Sequence, residues 1–548
     1  MTESIQTRLK RVRPPRVRIT YDANTDGGKA EEELPFIVGI LSDLRGAQLE
    51  DDAVPLAHRP FHDIDRDSID KVMRSIGPGV AIDLNLPELD GLGEADAFLR
   101  FHSMGDFEPL SVVQALPTLR KAYSQRNELC LLKDRNQGNA GIDQRVAQID
   151  ALLSLQVSAI LRQDAFRRLE ASWRGLHYLV SRTETSPLLR LKVLDVAKSE
   201  LCKDMDGAAE PGRGILARML RDAAAGVDGG FPYGLLVGDY EFGAGGADLA
   251  LVGKIAEVAA STNTSFIAAA SCRGFGLDSV DPLAPPRDLE SVFQAHGLTS
   301  WREWRAQDVS RYVTLALPRV LLRLPHDGSK RTDFLWGNAA WVLAERVTHA
   351  FALYGWPAAI RGVEGGGLVE NFPLCGAAPD TGAAHPLCPT EVVISDRYDK
   401  ELVALGLTPL YHLEGTASAV FVGGQADHAP KPRFFSDVRA NAGLSTTLPY
   451  VLAASRFAHY FNVIMRKKAG MTRAGVESRL NDWLAHYVLL DDNAPQDVKA
   501  AFPLRAANVV VTEASGEPDR HTAIVFIKPH FQFEELPNSI RLVVPLPA

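Results

Sequence analysis

The chain predicts a mixed α/β (α+β) fold divided into several domains, and three observations carry that prediction. Tyr233–Val237, Asp248–Thr262 and Ser265–Ala270 read as strand, helix and strand, a unit that requires locally parallel pairing. Ile142, Val146, Ile149, Leu153, Val157 and Ile160 recur at spacings of three and four, one apolar face of a long helix. Strand signals stand near both ends, at Val17–Tyr21 and at Ile540–Val544.

Composition narrows the class. A length of 548 residues has room for about three or four domains. Hydrophobic residues make up 46% and charged residues 23%, which excludes a largely disordered or collagen-like chain. The net charge of −9 is small for this size and gives no argument for nucleic acid or membrane surfaces. Five separated cysteines make no disulfide framework and suit a reducing compartment. No apolar run approaches the ~18 residues of a membrane span, and the first residues lack the apolar core of a signal peptide. The expectation is a soluble cytoplasmic protein with no nucleic-acid partner and no membrane insertion.

Each element follows from its local pattern. The first twenty residues hold Arg8, Lys10, Arg11, Arg13, Arg16 and Arg18 against Glu3, and Pro14 and Pro15 bar a helix. Val17, Ile19 and Tyr21 share one face of the next strand and would lie in water without a partner. Asn24–Lys29 is turn-rich, and the apolar run from Leu34 is of strand length. Ser68–Ile76 reads as helix, Ala81–Leu86 and Ala97–Phe101 as strands, and Leu110–Leu132 as helix apart from Pro117. The sequence QGNAG from Gln137 breaks the pattern. A linker at 138–141 therefore separates an N-terminal arm (1–22) and a first region (23–137) from a second region (142–548). The helix from Ile142 runs on toward Phe166, Leu169 and Trp173. LKVLDV (191–196) is a strand, Leu335–Tyr354 a buried helix and Val392–Ser395 a strand. Tyr450–Lys468 and Arg473–Leu490 are helices. Asn508–Thr512, Ala523–Ile527 and Ile540–Val544 close the chain as strands. Pro545 and Pro547 confine the last to a sheet edge.

Chemical motifs are weak. The loop Gly238–Gly246 sits between a strand and a helix, the setting of phosphate binding. It lacks the Lys-Ser/Thr pair of a P-loop, and Asp239, Glu241 and Asp248 would repel phosphate. An α/β enzyme binding a phosphate-containing ligand there is the alternative reading. Gly212-Arg213-Gly214 lacks a preceding strand. Cys375, His385 and Cys388 lack a fourth ligand at metal spacing, and Pro60 breaks the His58/His62 pair. No G-x-S-x-G or S-x-x-K nucleophile signature occurs. No catalytic residue, cofactor site or metal site is assigned.

Several longer segments carry a likeness: FRRLEASWRGLHYLV (166–180), VGDYEFG (237–243), RYVTLALPRVLLRLP (311–325), DFLWGNAAWVLAERV (333–347), PTEVVISDRYDKELVALG (389–406) and IKPHFQFEEL (527–536). Together they resemble the large subunit of the type VI secretion contractile sheath, the TssC or VipB family, collinearly over 142–548. The N-terminal strand, ELPFIVGILSDLRG (33–46), IDRDSIDKVMRSI (64–76) and FHSMGDFEPLSVVQALPTLRKAYSQRNELCLLK (101–133) resemble the small subunit, TssB or VipA. The chain thus looks like a fusion of two subunits that are usually separate.

The resemblance implies a non-enzymatic, multi-domain contractile-tail-sheath-like protomer with extended terminal strands for sheet augmentation between subunits. It implies a helical homopolymer around an inner tube of hexamers, which it ejects by a change between extended and contracted packing. Partners would be the inner-tube protein, baseplate proteins and sheath-assembly proteins. The place would be the bacterial cytoplasm, as a tube anchored to an envelope-bound baseplate. By the same analogy Val17, Ile19 and Tyr21 would meet Ile540, Leu542, Val543 and Val544 of a neighbour, with Arg16 and Arg18 near Glu534 and Glu535. Deleting residues 1–22 is then expected to leave a folded protein that cannot form tubes. One departure stands out: only about ten residues separate the first region from AQIDALLSLQVSAIL (147–161), so the extension that carries the docking helix for a ClpV-type unfoldase is expected to be missing. That puts recycling through ClpV in doubt.

Overall fold

The structure is a computed structural model. It describes residues 16–25, 28–46, 54–83, 97–135, 140–207, 213–277, 298–325, 334–372, 388–413, 415–429, 446–466, 472–491, 498, 502–514, 517–529 and 540–545.

The elements of the first region are β1 (Tyr21–Thr25), β2 (Gly28–Glu32), β3 (Phe36–Ser42), β4 (His62–Ile64), α1 (Ile69–Ile76), β5 (Gly79–Ile82), β6 (Ala97–Arg100), α2 (Pro109–Ala115) and α3 (Pro117–Arg135). Then follow α4 (Ala140–Leu161), α5 (Asp164–Arg182), β7 (Leu189–Asp195), α6 (Lys198–Asp206), α7 (Ile215–Ala225), β8 (Tyr233–Phe242), α8 (Gly246–Thr262), β9 (Ser265–Ala270), α9 (Thr299–Arg305), β10 (Val313–Leu317), β11 (Val320–Arg323), β12 (Leu335–Gly337) and α10 (Ala339–Tyr354). The last part holds β13 (Leu368–Val369), α11 (Asp396–Ala404), β14 (Thr408–Pro409), β15 (Tyr411–His412), β16 (Ala419–Val420), α12 (Leu448–Arg466), α13 (Arg473–Ala485), β17 (Leu504–Ala514), β18 (Glu517–Pro529) and β19 (Ile540–Pro545).

The centre is a seven-stranded sheet in the order β14-β10-β9-β8-β3-β7-β4. Its pairings are parallel except for β4 against β7. β3, from the first region, lies between β7 and β8 of the second. The sequence boundary at the linker is therefore no boundary in the sheet. β3 obeys the strand period on both faces. Phe36, Val38 and Ile40 enter a core with α1, α4, α5 and α10, whereas Ile37 and Leu41 enter a second core with α6, α7 and α8. That two-sided burial explains its unbroken apolar run. A third core joins α12, α13, β17 and β18.

Four local expectations change. The helix from Ile142 stops at Leu161, and α5 begins afresh after Gln163, whose side chain bonds both backbone groups of Asp83 (3.2 and 2.8 Å). Leu335–Gly337 is a strand paired with β11, and the helix begins behind Asn338, whose side chain accepts the Ala340 N–H (2.8 Å). Val392–Ser395 forms no strand; the neighbouring Thr390 bridges Val320, and Ile394 is buried by side-chain packing alone. Asn24–Lys29 falls within the hairpin of β1 and β2, of which Asp26 and Gly27 lie outside the described residues.

Candidate assembly surfaces

The two regions meet along β3, and a polar latch closes its C-terminal end. The Asp195 carboxylate accepts the Leu44 and Arg45 N–H groups (3.0 and 3.1 Å), and Arg45 Nε lies 2.9 Å from its other oxygen. Arg59 grips Glu200 with two bonds (2.8 and 2.7 Å) and donates to the Asp195 carbonyl (3.1 Å). This grip holds the Glu200 carboxyl below its ordinary range, whereas burial pushes Asp195 up. Ser42 donates to Asp239 (2.9 Å), and so does the Trp341 indole (3.1 Å); burial raises the Asp239 carboxyl despite them. Trp173 donates to Leu44 O (2.8 Å). Arg59 and Glu200 stand 141 positions apart, so no local pattern announces the pair.

The glycine loop is built for packing. Residues 238–242 belong to β8, which leaves only Gly243–Gly245 before α8. Asp248 turns back to accept the Gly243 N–H (2.7 Å). Lys198 Nζ bonds Asp248 and Glu241 O (2.7 Å each) and sits over the Phe242 ring. The chain's own carboxylate and lysine thus take the places a phosphate and its counter-charge would use. A Cβ on Gly243 would lie 3.1 Å from Gly274 Cα, so glycine here serves close approach of two turns. Of the weak metal cluster, Cys375 and His385 lie outside the described residues, and Cys388 Sγ is 3.0 Å from Thr390 Oγ1.

Val17, Ile19 and Tyr21 do not lie in water in the single chain: they are 8%, 4% and 6% exposed and join the third core. The alternation read from sequence is present, but residues 16–20 pair with no strand, and the cover comes from the same polypeptide. Val17 N–H donates to Tyr354 O (2.6 Å), and Tyr460 Oη donates to Ile19 O (2.6 Å). Thr20 N–H donates to Tyr487 Oη (2.9 Å), and the Trp483 indole donates to Thr20 O (2.9 Å). Arg456 bonds Pro35 O (3.0 Å) and Leu34 O, and Tyr460 Oη also accepts the Leu34 N–H (3.0 Å). These groove residues were not singled out from sequence. The spacing 456/460 puts that pair on one side of α12, whereas Tyr487 lies in the turn after α13. Arg16 and Arg18 pair with Glu33 (2.8 and 3.3 Å), whereas Glu534 and Glu535 lie outside the described residues. Deleting residues 1–22 would remove three side chains from the third core of the same chain.

At the other end, β19 pairs antiparallel with β18, from Ile527↔Ile540 to Thr522↔Pro545. Ile540, Leu542, Val543 and Val544 all lie on this strand, which forms one edge of the sheet β17-β18-β19. Among the described residues no strand pairing joins them to Val17, Ile19 or Tyr21.

Comparison with known proteins matches the chain to three family models. The family model described as "EvpB/VC_A0108, tail sheath N-terminal domain" matches residues 143–428, and the tail sheath gpW/gp25-like domain matches 437–546. The model "Type VI secretion system, VipA, VC_A0107 or Hcp2" matches 9–157. Type VI secretion system sheath protein TssC1 of Pseudomonas aeruginosa is 38% identical over 434 residues, 75% of this chain and 87% of the relative. TssB1 of the same organism is 34% identical over 162 residues, 29% of this chain and 92% of the relative. Two solved structures of the anti-feeding prophage align over 68% of this chain. They are its baseplate (TM-score 0.34, 10% identity, 81% of that chain) and its contracted helical sheath (TM-score 0.28, 12% identity, 78% of that chain).

The class is that of a structural sheath protomer rather than an enzyme. The chain belongs to the type VI secretion sheath family, and it unites the TssB-like and TssC-like parts in one polypeptide. Their matches overlap at 143–157, inside α4.

Proposed function

We propose that this chain is the repeating unit of a helical sheath that surrounds an inner tube and drives its ejection by passing from extended to contracted packing. The observation that carries the reading is the family match over both regions, with β3 of the TssB-like part seated inside the sheet of the TssC-like part. One polypeptide then supplies what two subunits supply elsewhere. Its partners are further copies of itself, the hexameric inner-tube protein, and baseplate and sheath-assembly proteins. It acts in the bacterial cytoplasm, as a tube anchored to an envelope-bound baseplate. The contacts between protomers involve Val17, Ile19 and Tyr21 at one end and Ile540, Leu542, Val543 and Val544 at the other. Backbone pairing on the edge of β19 would add roughly 1 kcal/mol per bond, repeated along the tube. The stored energy lies in these interfaces, which differ between the two packings. Co-expression with the inner-tube and baseplate proteins, followed by negative-stain microscopy, tests the reading. Tubes are expected, and only soluble protomers would refute it.

A further inference from the structure

Cys388 and His412 come from separate stretches of chain and meet at a hydrogen bond. The thiol side is fixed by backbone. Pro389 O accepts the Leu321 N–H and Glu391 N–H donates to Arg319 O (2.9 Å each), which ties residues 389–391 alongside β11. The imidazole side is fixed by β15, on which His412 pairs with Ala419 of β16, and by Thr416, whose carbonyl oxygen lies 2.8 Å from Nε2. A carbonyl only accepts, so Nε2 carries a hydrogen and Nδ1 is the nitrogen that can take the thiol proton. Thr416 is itself held: its N–H (3.1 Å) and its hydroxyl (2.7 Å) both donate to Leu413 O. Nucleophile, base and orienting group thus stand in series. The Thr390 hydroxyl lies 3.0 Å from the sulfur, and the Thr390 N–H bonds it as well. Burial opposes a charge on Cys388, yet the hydrogen bonds from His412 and Thr390 outweigh it and hold the thiol below its ordinary range. Cys272 is the contrast within the chain: burial pushes its thiol up to about 12. Among the described residues no group of three or more His, Cys, Asp and Glu side chains forms a metal site.

We infer that Cys388 is a reactive thiol, which forms a thiolate–imidazolium pair with His412 and is oxidised by small hydroperoxides. The thiolate attacks one peroxide oxygen, and the O–O bond breaks. The departing oxygen takes the His412 proton and leaves as water or an alcohol. Sulfur loses two electrons and ends as the sulfenic acid, while the peroxide is reduced. Cys388 is 8% exposed, which suits a small electrophile and not a bulky one. Neither residue has a part in the assembly reading, and the inference is independent of it.

Two measurements on the full-length protein at neutral pH test it. Peptide mapping by mass spectrometry after brief exposure to hydrogen peroxide, and separately to iodoacetamide, is expected to show Cys388 reacting about ten-fold or more faster than Cys272. Equal rates, or a Cys388 that stays unmodified while other cysteines react, would overturn the inference. The second measurement reads the thiolate by its ultraviolet absorbance, as the difference between wild type and Cys388→Ser. A thiolate band is expected in that difference and is expected to be absent from His412→Gln. No band in the wild type, or an undiminished band in His412→Gln, would overturn the pair. Circular dichroism checks that both variants fold. The peptide mapping needs no variant and decides the matter if either fails to fold.

Discussion

Arg126 on α3 and Asp150 on α4 face each other across the joint between the two regions, with Nε 2.9 Å from Oδ1 and Nη2 3.3 Å from Oδ2. Seven residues further along α3 and seven residues back along α4, Lys133 meets Asp143 at 2.6 Å. The two pairs set α3 and α4 antiparallel. Both are solvent-facing, so each contributes under ~1 kcal/mol. The buried β3 holds the regions together far more firmly than the joint does. Splitting the chain at residue 138 is therefore expected to yield two polypeptides that co-purify as one complex when co-expressed. Size-exclusion chromatography and circular dichroism of the separate and combined pieces check this. Two pieces that fold alone and stay apart would contradict it.

Gly175 on α5 has no space for a side chain: a Cβ there would lie 2.2 Å from Trp341 Nε1. Trp341 is fully buried and bonded to Asp239, so it has little freedom to yield. Gly175→Ala would ordinarily gain up to ~1 kcal/mol of helix propensity. Here overpacking is expected to reverse the sign and cost about 1–3 kcal/mol. Denaturant unfolding reads the difference, and a stabilised variant would show that α5 and α10 are packed less closely than described.

Asp399 on α11 is buried, its Oδ1 has no hydrogen-bond partner among the described residues, and its pKa is raised to about 6, first by burial and then by Asp396. A folded value above the unfolded 3.8 means the native state binds the proton more tightly. The ionised group therefore weakens the fold above about pH 6, and the penalty fades as pH falls toward 3.8. Asp399→Asn is expected to stabilise by about 1–2 kcal/mol at pH 8, and by much less at pH ~4.5. Thermal unfolding at both pH values checks this, and an equal gain at both would contradict it.

Sequence patterning carried single elements well and long-range partners poorly. The unbroken run Phe36–Leu41 and the period of Ile69–Ile76 mark β3 and α1 because burial on fixed faces dictates residue type. Nothing in the run says that β7 and β8 flank it, since their residues lie some 150 to 200 positions away. Leu335–Gly337 merged with α10 because a short apolar run has no period of its own. At the N-terminus the alternation of Val17, Ile19 and Tyr21 correctly demands cover on one face, yet it cannot name the covering chain. The groove residues Tyr460 and Tyr487 lie more than 400 positions from the backbone they hold. The glycine loop resisted a phosphate reading because its acids were visible, although the lysine that neutralises one of them was not.

If the proposed function holds, one polypeptide of this kind supplies the whole repeating unit of a sheath wall. Cryo-electron microscopy of tubes assembled from the full-length chain with the inner-tube protein tests it most directly. The account predicts one continuous density per repeat, running from α3 through the joint into α4, with β3 seated between β7 and β8. A wall that needs a second, separate small subunit in that position, or preparations that contain only soluble protomers, would contradict it.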